Sequence, residues 1–316
     1  MRVVVTGGCG FIGSHVVDNL IRAGHEVLVI DISVHPLNPK ASYRKVDILD
    51  RTALEAAVRG SDAIFHLAGA SDVDLIAADP LGAIRVNVDG TACVLDAARR
   101  QGCGRVLLAS TVWVYGAAAG TGELAEEAPI ELARAGHVYV STKLASELLA
   151  HSYLKMYGQH FTILRYGIPY GPRMRDALVV ARFARAALAG LPITIAGTGE
   201  QQRCYLYVED LADAHVRALS PTAQDQTLAL EGDTPVSVRE VAETVLHLAG
   251  PVPVQHVPAR PADYDGRSVS NALAKEVLGW SPSTSFTEGV RRYLDWCQAS
   301  SIAPSPPRPE AREPTS

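Results

Sequence analysis

The stretch VVVTGGCGFIGS, residues 3–14, constrains this chain more than any other. A β-branched run ends at Thr6, glycines follow at positions 7, 10 and 13, and an amphipathic pattern opens behind them. Glycines at these spacings let a strand turn tightly into a helix and let a second backbone or a phosphate come close. They also leave the amides of the helix N-terminus facing outward, where they favour an anion. The stretch therefore predicts the first strand–turn–helix of a parallel sheet, with a dinucleotide pyrophosphate on the turn.

The rest of the first half repeats that alternation. Residues 2–5, 26–30, 63–67 and 105–109 read as short strands, and 12–23, 51–58 and 80–100 as helices. Strands separated by helices imply βαβ units, and so an α/β fold with a doubly wound parallel sheet (Rossmann fold). Right-handed crossovers bring every strand C-terminus to one edge, where such sheets bind ligands. Beyond Arg165, prolines at 169, 172, 192, 251, 253, 258 and 261 punctuate shorter elements. The expected division is a dinucleotide domain over 1–165 with a return around 204–232. A smaller mixed substrate lobe is expected over 166–203 and 233–300. The proline-rich 301–316 is expected to be a disordered tail.

Composition excludes several functions. Acids and bases are interspersed with a net charge of −5, so no basic stripe points to nucleic acid or a membrane surface. Five scattered cysteines without a C-x-x-C pair argue for a reduced, cytoplasmic setting. No apolar run approaches a membrane span. The ten histidines hold no H-E-x-x-H, and no metal is expected.

The second expected strand runs into Asp31, eighteen residues after Gly13. A carboxylate there can accept hydrogen bonds from both adenosine ribose hydroxyls and would repel a 2′-phosphate, so NAD is expected rather than NADP. Asp47 and Ile48, and the small residues ending FHLAGA at 65–70, stand at further strand ends that can line the same cofactor.

Of eleven tyrosines only Tyr139, in YVSTK, has a lysine four residues on. The following pattern is helical, so Tyr139 and Lys143 share a face. A cation beside a phenol favours the phenolate, which makes Tyr139 a candidate general base. Thr111 stands 28 residues earlier, at the end of a strand that should reach the ligand edge. Hydroxyl, phenol and ammonium together suit removal of an alcohol proton while hydride leaves the carbon.

These residues resemble those of the extended short-chain dehydrogenase/reductases of the NAD-dependent nucleotide-sugar epimerase/dehydratase type, UDP-glucose 4-epimerase-like. The motifs TGGCGFIG, Asp31, HLAG, NVDGT, STVWVYG, YVSTK, LRYGIPYGP, GEQQRCYLYVEDLADA, RPAD and LGWSP appear in family order over about residues 1–297. The resemblance implies Thr111, Tyr139 and Lys143 as catalytic residues. It implies NAD contacts at Gly7, Gly10, Phe11, Ile12, Gly13, Asp31, Ile32, Asp47, Ile48, Leu67, Ala68, Gly69, Asn87, Tyr139, Lys143 and Tyr166. For the nucleotide sugar, a UDP-sugar, it implies Arg203 and Arg260 on the phosphates and Asp263 on the ribose, with Thr111, Val112 and Trp113 beside the sugar. Helices near 85–99 and 139–155 are implied to pair in a homodimer.

Two departures narrow the reaction. Dehydratases of the family place Asp and Glu directly after the catalytic threonine, and decarboxylases place Glu at the second position. Here Val112 and Trp113 stand there, and neither side chain can pass the needed proton. Ile168 replaces the family's usual Asn, as in epimerases of UDP-glucuronate, where an arginine pair also follows Y-G-P. Arg173 and Arg175 occupy those positions and can meet a sugar carboxylate. The expectation is a 4-epimerase working through a transient 4-keto sugar. The alternatives are a ketosugar reductase and a non-catalytic NAD-binding scaffold.

Overall fold

The computed structural model describes residues 1–116, 123–134, 136–259 and 268–300. The expected tail at 301–316 lies outside them. The chain divides into two compact units, one of Met1–Pro169, Arg203–Pro235 and Tyr264–Thr284, the other of Tyr170–Gln202, Val236–Asp263 and Ser285–Ser316.

The first unit is built on seven strands: β1 (Arg2–Thr6), β2 (Glu26–Asp31), β3 (Ser42–Lys45), β4 (Ala63–His66), β5 (Arg105–Thr111), β6 (His160–Tyr166) and β7 (Thr227–Leu230). They form one parallel sheet in the order β7-β6-β5-β4-β1-β2-β3. The chain leaves β1 toward β2 on one side and returns to β4 on the other. The loops after β1 and β4 therefore diverge, which opens the crevice at which doubly wound sheets bind ligands.

Both faces of the inner sheet are covered, so its central strands are rich in buried apolar residues, while edge strand β3 is polar and largely exposed. Val3, Val5, Ala63 and Phe65 point into one core, together with Val16, Val17 and Leu20 of α1 (Phe11–Arg22). Val4, Ile30, Ile64 and Val106 point into the other, with Leu54 of α2 (Arg51–Val58) and Val94 and Ala98 of α3 (Gly90–Arg100). Each large aliphatic side chain buried this way contributes about 1.5–3 kcal/mol.

Three differences from the sequence reading have physical causes. The strand expected at 105–109 continues to Thr111, because Ser110 and Thr111 pair in register with Arg165 and Tyr166 of β6. The helix expected over 80–100 is interrupted by a π-turn at Arg85–Asp89. Residues 268–284, expected in the second lobe, group with the first unit. Their Ala274, Leu278 and Trp280 fill its core beside Leu211, and the Trp280 indole N–H donates to Asp210 O at 2.9 Å.

The second unit holds the helices Val179–Leu188, Val238–Ala249 and Phe286–Ala299 and a parallel strand pair, Ile193–Ala196 with Val254–Val257. Ser237 and Glu240 form a capping box at the start of its second helix.

Candidate active site

The glycine turn is the most tightly determined part of the site. Gly7 sits at φ 71°, and a Cβ there would lie 2.6 Å from Ala68 N. A Cβ on Gly13 would lie 2.2 Å from Gly7 O. The turn thus folds back on itself and against the segment after β4. Gly10, exposed, is the N-cap of α1 and brings no side chain to the first-turn amides. Phe11 and Ile12 follow, half-buried. A pyrophosphate needs this arrangement: bare amides at a helix N-terminus with no Cβ in the way.

Asp31 ends β2. Its carboxylate accepts the Cys9 N–H and the Ser33 N–H, each at 3.1 Å. Each oxygen keeps a lone pair for a ribose hydroxyl. These residues fit NAD, and when bound NAD supplies a reversible hydride acceptor. Ile32 beside Asp31 is exposed. Asp47 is exposed and accepts the Leu49 N–H at 2.9 Å, while Ile48 is buried in the core under α3.

The segment Leu67, Ala68, Gly69 leaves β4 and is pinned by Asn87 in the π-turn. Asn87 accepts the Ala70 N–H at 2.7 Å and donates to Ala70 O at 2.9 Å and to Thr142 Oγ1 at 2.9 Å. One amide side chain therefore ties the cofactor-side loop to α4 (Val138–Tyr157), the helix that carries Tyr139 and Lys143. A π-turn is a common device for aiming a side chain at a site. Below this loop lies a buried relay. The Ala68 N–H reaches Thr6 Oγ1 at 3.3 Å, Thr6 meets His66 Nδ1 at 2.9 Å, and His66 Nε2 meets Thr91 Oγ1 at 3.1 Å. Thr91 donates onward to Asn87 O at 2.6 Å, so the relay requires the proton on His66 Nε2. Burial, aided by the Lys143 charge, pulls the His66 pKa down to about 3.

The catalytic candidates come together at the end of β5. Thr111 is buried, and its Oγ1 accepts the Trp113 N–H at 3.2 Å, which leaves the hydroxyl proton to give to a ligand. Val112–Tyr115 then form a 3₁₀ turn in which Val112 is buried and Trp113 half-buried. The Trp113 ring stands edge-on to Tyr139 at 6.3 Å and to His137 at 5.6 Å, while His137 stacks on Tyr139 at 5.9 Å. Lys143 Nζ donates to Ala109 O at 3.0 Å and lies 5.9 Å from the Tyr139 ring centre. Desolvation pulls its pKa down to about 8 against the opposing pull of Glu147.

Tyr166 ends β6 opposite Thr111, with its side chain in the core and its hydroxyl 2.6 Å from His215 Nε2. Burial, with the Tyr139 phenol nearby, pushes its pKa well above the usual phenol value. Ile168 is half-buried in the short strand Ile168–Tyr170, and Arg203 is half-buried in Gln202–Tyr207. Arg173 holds a left-handed φ of 67° and Arg175 is exposed, both in the second unit. Arg260 and Asp263 lie outside the described residues. No cluster of three or more metal-ligating side chains occurs among the described residues.

Sequence reasoning missed Glu147, Arg165, Ser110 and Tyr115, which form a buried polar cluster directly behind Lys143. The signal was present: Tyr139, Lys143 and Glu147 recur every four residues on one helix face.

A family model described as "NAD dependent epimerase/dehydratase family" matches residues 3–228. The UDP-glucose 4-epimerase of Mycolicibacterium smegmatis is 33% identical over 312 residues, covering 94% of this chain and 98% of that protein. A UDP-N-acetyl-alpha-D-glucosaminuronate decarboxylase of Bacillus cytotoxicus is 30% identical over 318 residues, covering 93% and 97%. The crystal structure of the Thermus thermophilus UDP-glucose 4-epimerase in complex with NAD matches with a TM-score of 0.87 at 32% identity, covering 95% of this chain and 100% of that one. With a Rossmann-type sheet, a glycine turn and Asp31 fitted to NAD, and relatives matched along nearly their full length, the chain belongs to the NAD-dependent epimerase/dehydratase family.

Proposed function

We propose that this chain is a UDP-sugar 4-epimerase, acting on the UDP-glucose/UDP-galactose pair or on the corresponding uronic acids. One observation carries the choice of reaction within the family: the two residues after Thr111 are a buried valine and a half-buried tryptophan. Neither can act as the acid or base that elimination of water from the sugar requires, and neither supplies the glutamate of the decarboxylases. What these residues can support is removal and return of hydrogen at one carbinol.

Tyr139, as phenolate, accepts the proton of the C4 hydroxyl. The Lys143 ammonium beside the ring favours that phenolate. The Thr111 hydroxyl donates to the sugar oxygen, since its own oxygen is already engaged by the Trp113 N–H. NAD, which the Gly7–Gly13 turn and Asp31 would hold, would supply the reversible hydride acceptor for C4. Tyr139 then gives the proton back to the oxygen as the epimer forms.

Purified protein supplied with UDP-glucose, UDP-galactose or UDP-glucuronate should form the 4-epimer, read by NMR of the products. Tyr139→Phe should lower turnover by about a thousandfold with NAD content unchanged. Loss of CO₂ from a uronate, a 4-keto-6-deoxy product, or full turnover by Tyr139→Phe would each sink this reading.

A further inference from the structure

Behind the end of β5 lies a buried charged cluster that the proposed reaction does not use directly. Glu147, one turn beyond Lys143 on α4, receives Ser110 Oγ–H at 2.5 Å on Oε1. Arg165 grips the same carboxylate with two donors, Nε to Oε1 at 3.0 Å and Nη2 to Oε2 at 2.6 Å. Arg165 Nη1 donates to the Tyr115 hydroxyl at 2.6 Å, which in turn donates to Glu126 O at 2.8 Å. Ser110, Tyr115, Lys143, Glu147 and Arg165 are all buried.

Two facts give this cluster a bearing on the reaction. Ser110 precedes Thr111, and Arg165 is its partner across the β5–β6 ladder, so the carboxylate bolts both strand ends onto α4. Lys143 donates to Ala109 O, one residue further back on the same strand. Helix and strand thus meet at Lys143–Ala109 and at Glu147–Ser110, and these two contacts fix where Tyr139 stands relative to Thr111.

We propose that Glu147 is a positioning residue: its buried carboxylate sets Tyr139 and Lys143 in register with Thr111 and keeps Lys143 ionised beside the phenol. This rests on the reading of Tyr139 and Lys143 as the acid–base pair.

The charge balance around Lys143 supports it. Glu147 acts on Lys143 from its own helix and His66 from β4, with the Tyr139 ring centre 5.9 Å from Nζ and Arg165 of β6 bound to the same Glu147 carboxylate. His66 is held neutral by burial. Arg165 is a cation whose desolvation is outweighed by its bonds to Glu147. Glu147 is the one carboxylate that opposes the desolvation of Lys143 among the described residues. Neutralising it lowers the Lys143 pKa, and removing Arg165 while keeping the carboxylate raises it.

Lys143 is one of five lysines in the chain, so its Cε signal can be followed by NMR in NAD-loaded protein carrying ¹³C at the lysine Cε. Loss of the signal in Lys143→Arg identifies it. Relative to wild type, Glu147→Gln should move the midpoint down by about one pH unit, and Arg165→Met should move it up. The alkaline limb of the turnover profile should follow each shift. A purely structural role lowers the rate at every pH and leaves both midpoint and limb in place. If Glu147→Gln fails to fold, the upward shift in Arg165→Met decides alone. Unmoved midpoints, or two shifts of the same sign, overturn the proposal whether or not the chain epimerises sugars. Shifted midpoints with an unmoved turnover limb would instead remove Lys143 from the reaction.

Discussion

The end of β1 and the end of β5 carry the two halves of the site by different means. At β1 the work is done by backbone. Gly7 and Gly13 remove side chains so that a turn can close on itself and bare amides can face a phosphate. The glycines that shape the turn lie within a few residues of sequence, though the turn also packs against Ala68. At β5 the work is done by side chains brought from afar. Thr111 belongs to the strand and Tyr139 and Lys143 to a helix, and the cluster of Ser110, Tyr115, Glu147 and Arg165 draws on residues from 110 to 165. A backbone site fails when atoms are added to it. A side-chain site fails when a charge or a ring is taken away.

The largest expected effect breaks the first half alone. Gly13→Ala places a methyl group against Gly7 O, and overpacking of this kind costs up to about 3 kcal/mol. NAD retained through purification should fall by about a hundredfold, measured by absorbance of the released cofactor. A Gly13→Ala protein that keeps its NAD would refute the assignment of this turn.

A smaller effect tests how both halves are held from below. His66 backs the loops after β1 and β4. His215 backs Tyr166, accepting its hydroxyl at Nε2 and donating from Nδ1 to Leu211 O. Burial pulls their pKa values down to about 3 and about 4, so both stay neutral in the folded protein at pH values where they protonate when unfolded. Their stabilising contribution is therefore complete above about pH 6.5 and is lost as pH falls toward the folded values. Between about pH 6.5 and 5.5 each should cost about 1 kcal/mol, measured by urea unfolding. Replacing His215 by Gln should flatten part of that slope. An unchanged slope would show that His215 is not the proton acceptor.

The smallest effect sharpens the second half. Trp113→Ala removes a ring packed edge-on against Tyr139 and His137, contacts of about 1 kcal/mol each. It should raise KM for the better sugar nucleotide several-fold and narrow the preference between glucose and glucuronate forms. NAD content should not change. Equal KM values in wild type and variant would place Trp113 away from the sugar.

The contrast also explains what could be read from the chain before its fold. The glycine turn, Asp31 and the Tyr139–Lys143 pair are local patterns, and each lies on the element its spacing predicts. Thr111 was legible because a strand should deliver it to the ligand edge. The family resemblance picked it over Ser110, since nothing local says which of two adjacent hydroxyls faces a ligand. Strand alternation sends one to Glu147 and leaves the other at the site. The π-turn at Asn87 was hidden for a similar reason: the sequence around it is an ordinary amphipathic helix, and the bulge is held by Ala70 and Thr142 from other segments. The return of 268–284 to the first unit depends on where Trp280 finds a carbonyl to meet its N–H.

By itself the sequence determined the alternation that makes a parallel sheet, the backbone turn fitted to NAD, and the absence of an acid at the two positions after Thr111. These rest on period, glycine placement and residue type, all of which act over a few residues. Only the tertiary structure decided which buried charge opposes the desolvation of Lys143, what holds Ser110, and how Asn87 ties the loop after β4 to the helix that carries Tyr139 and Lys143. Those are facts of desolvation and hydrogen-bond satisfaction, and a buried polar group is satisfied by whichever partner folding brings to it, however far away in sequence that partner began.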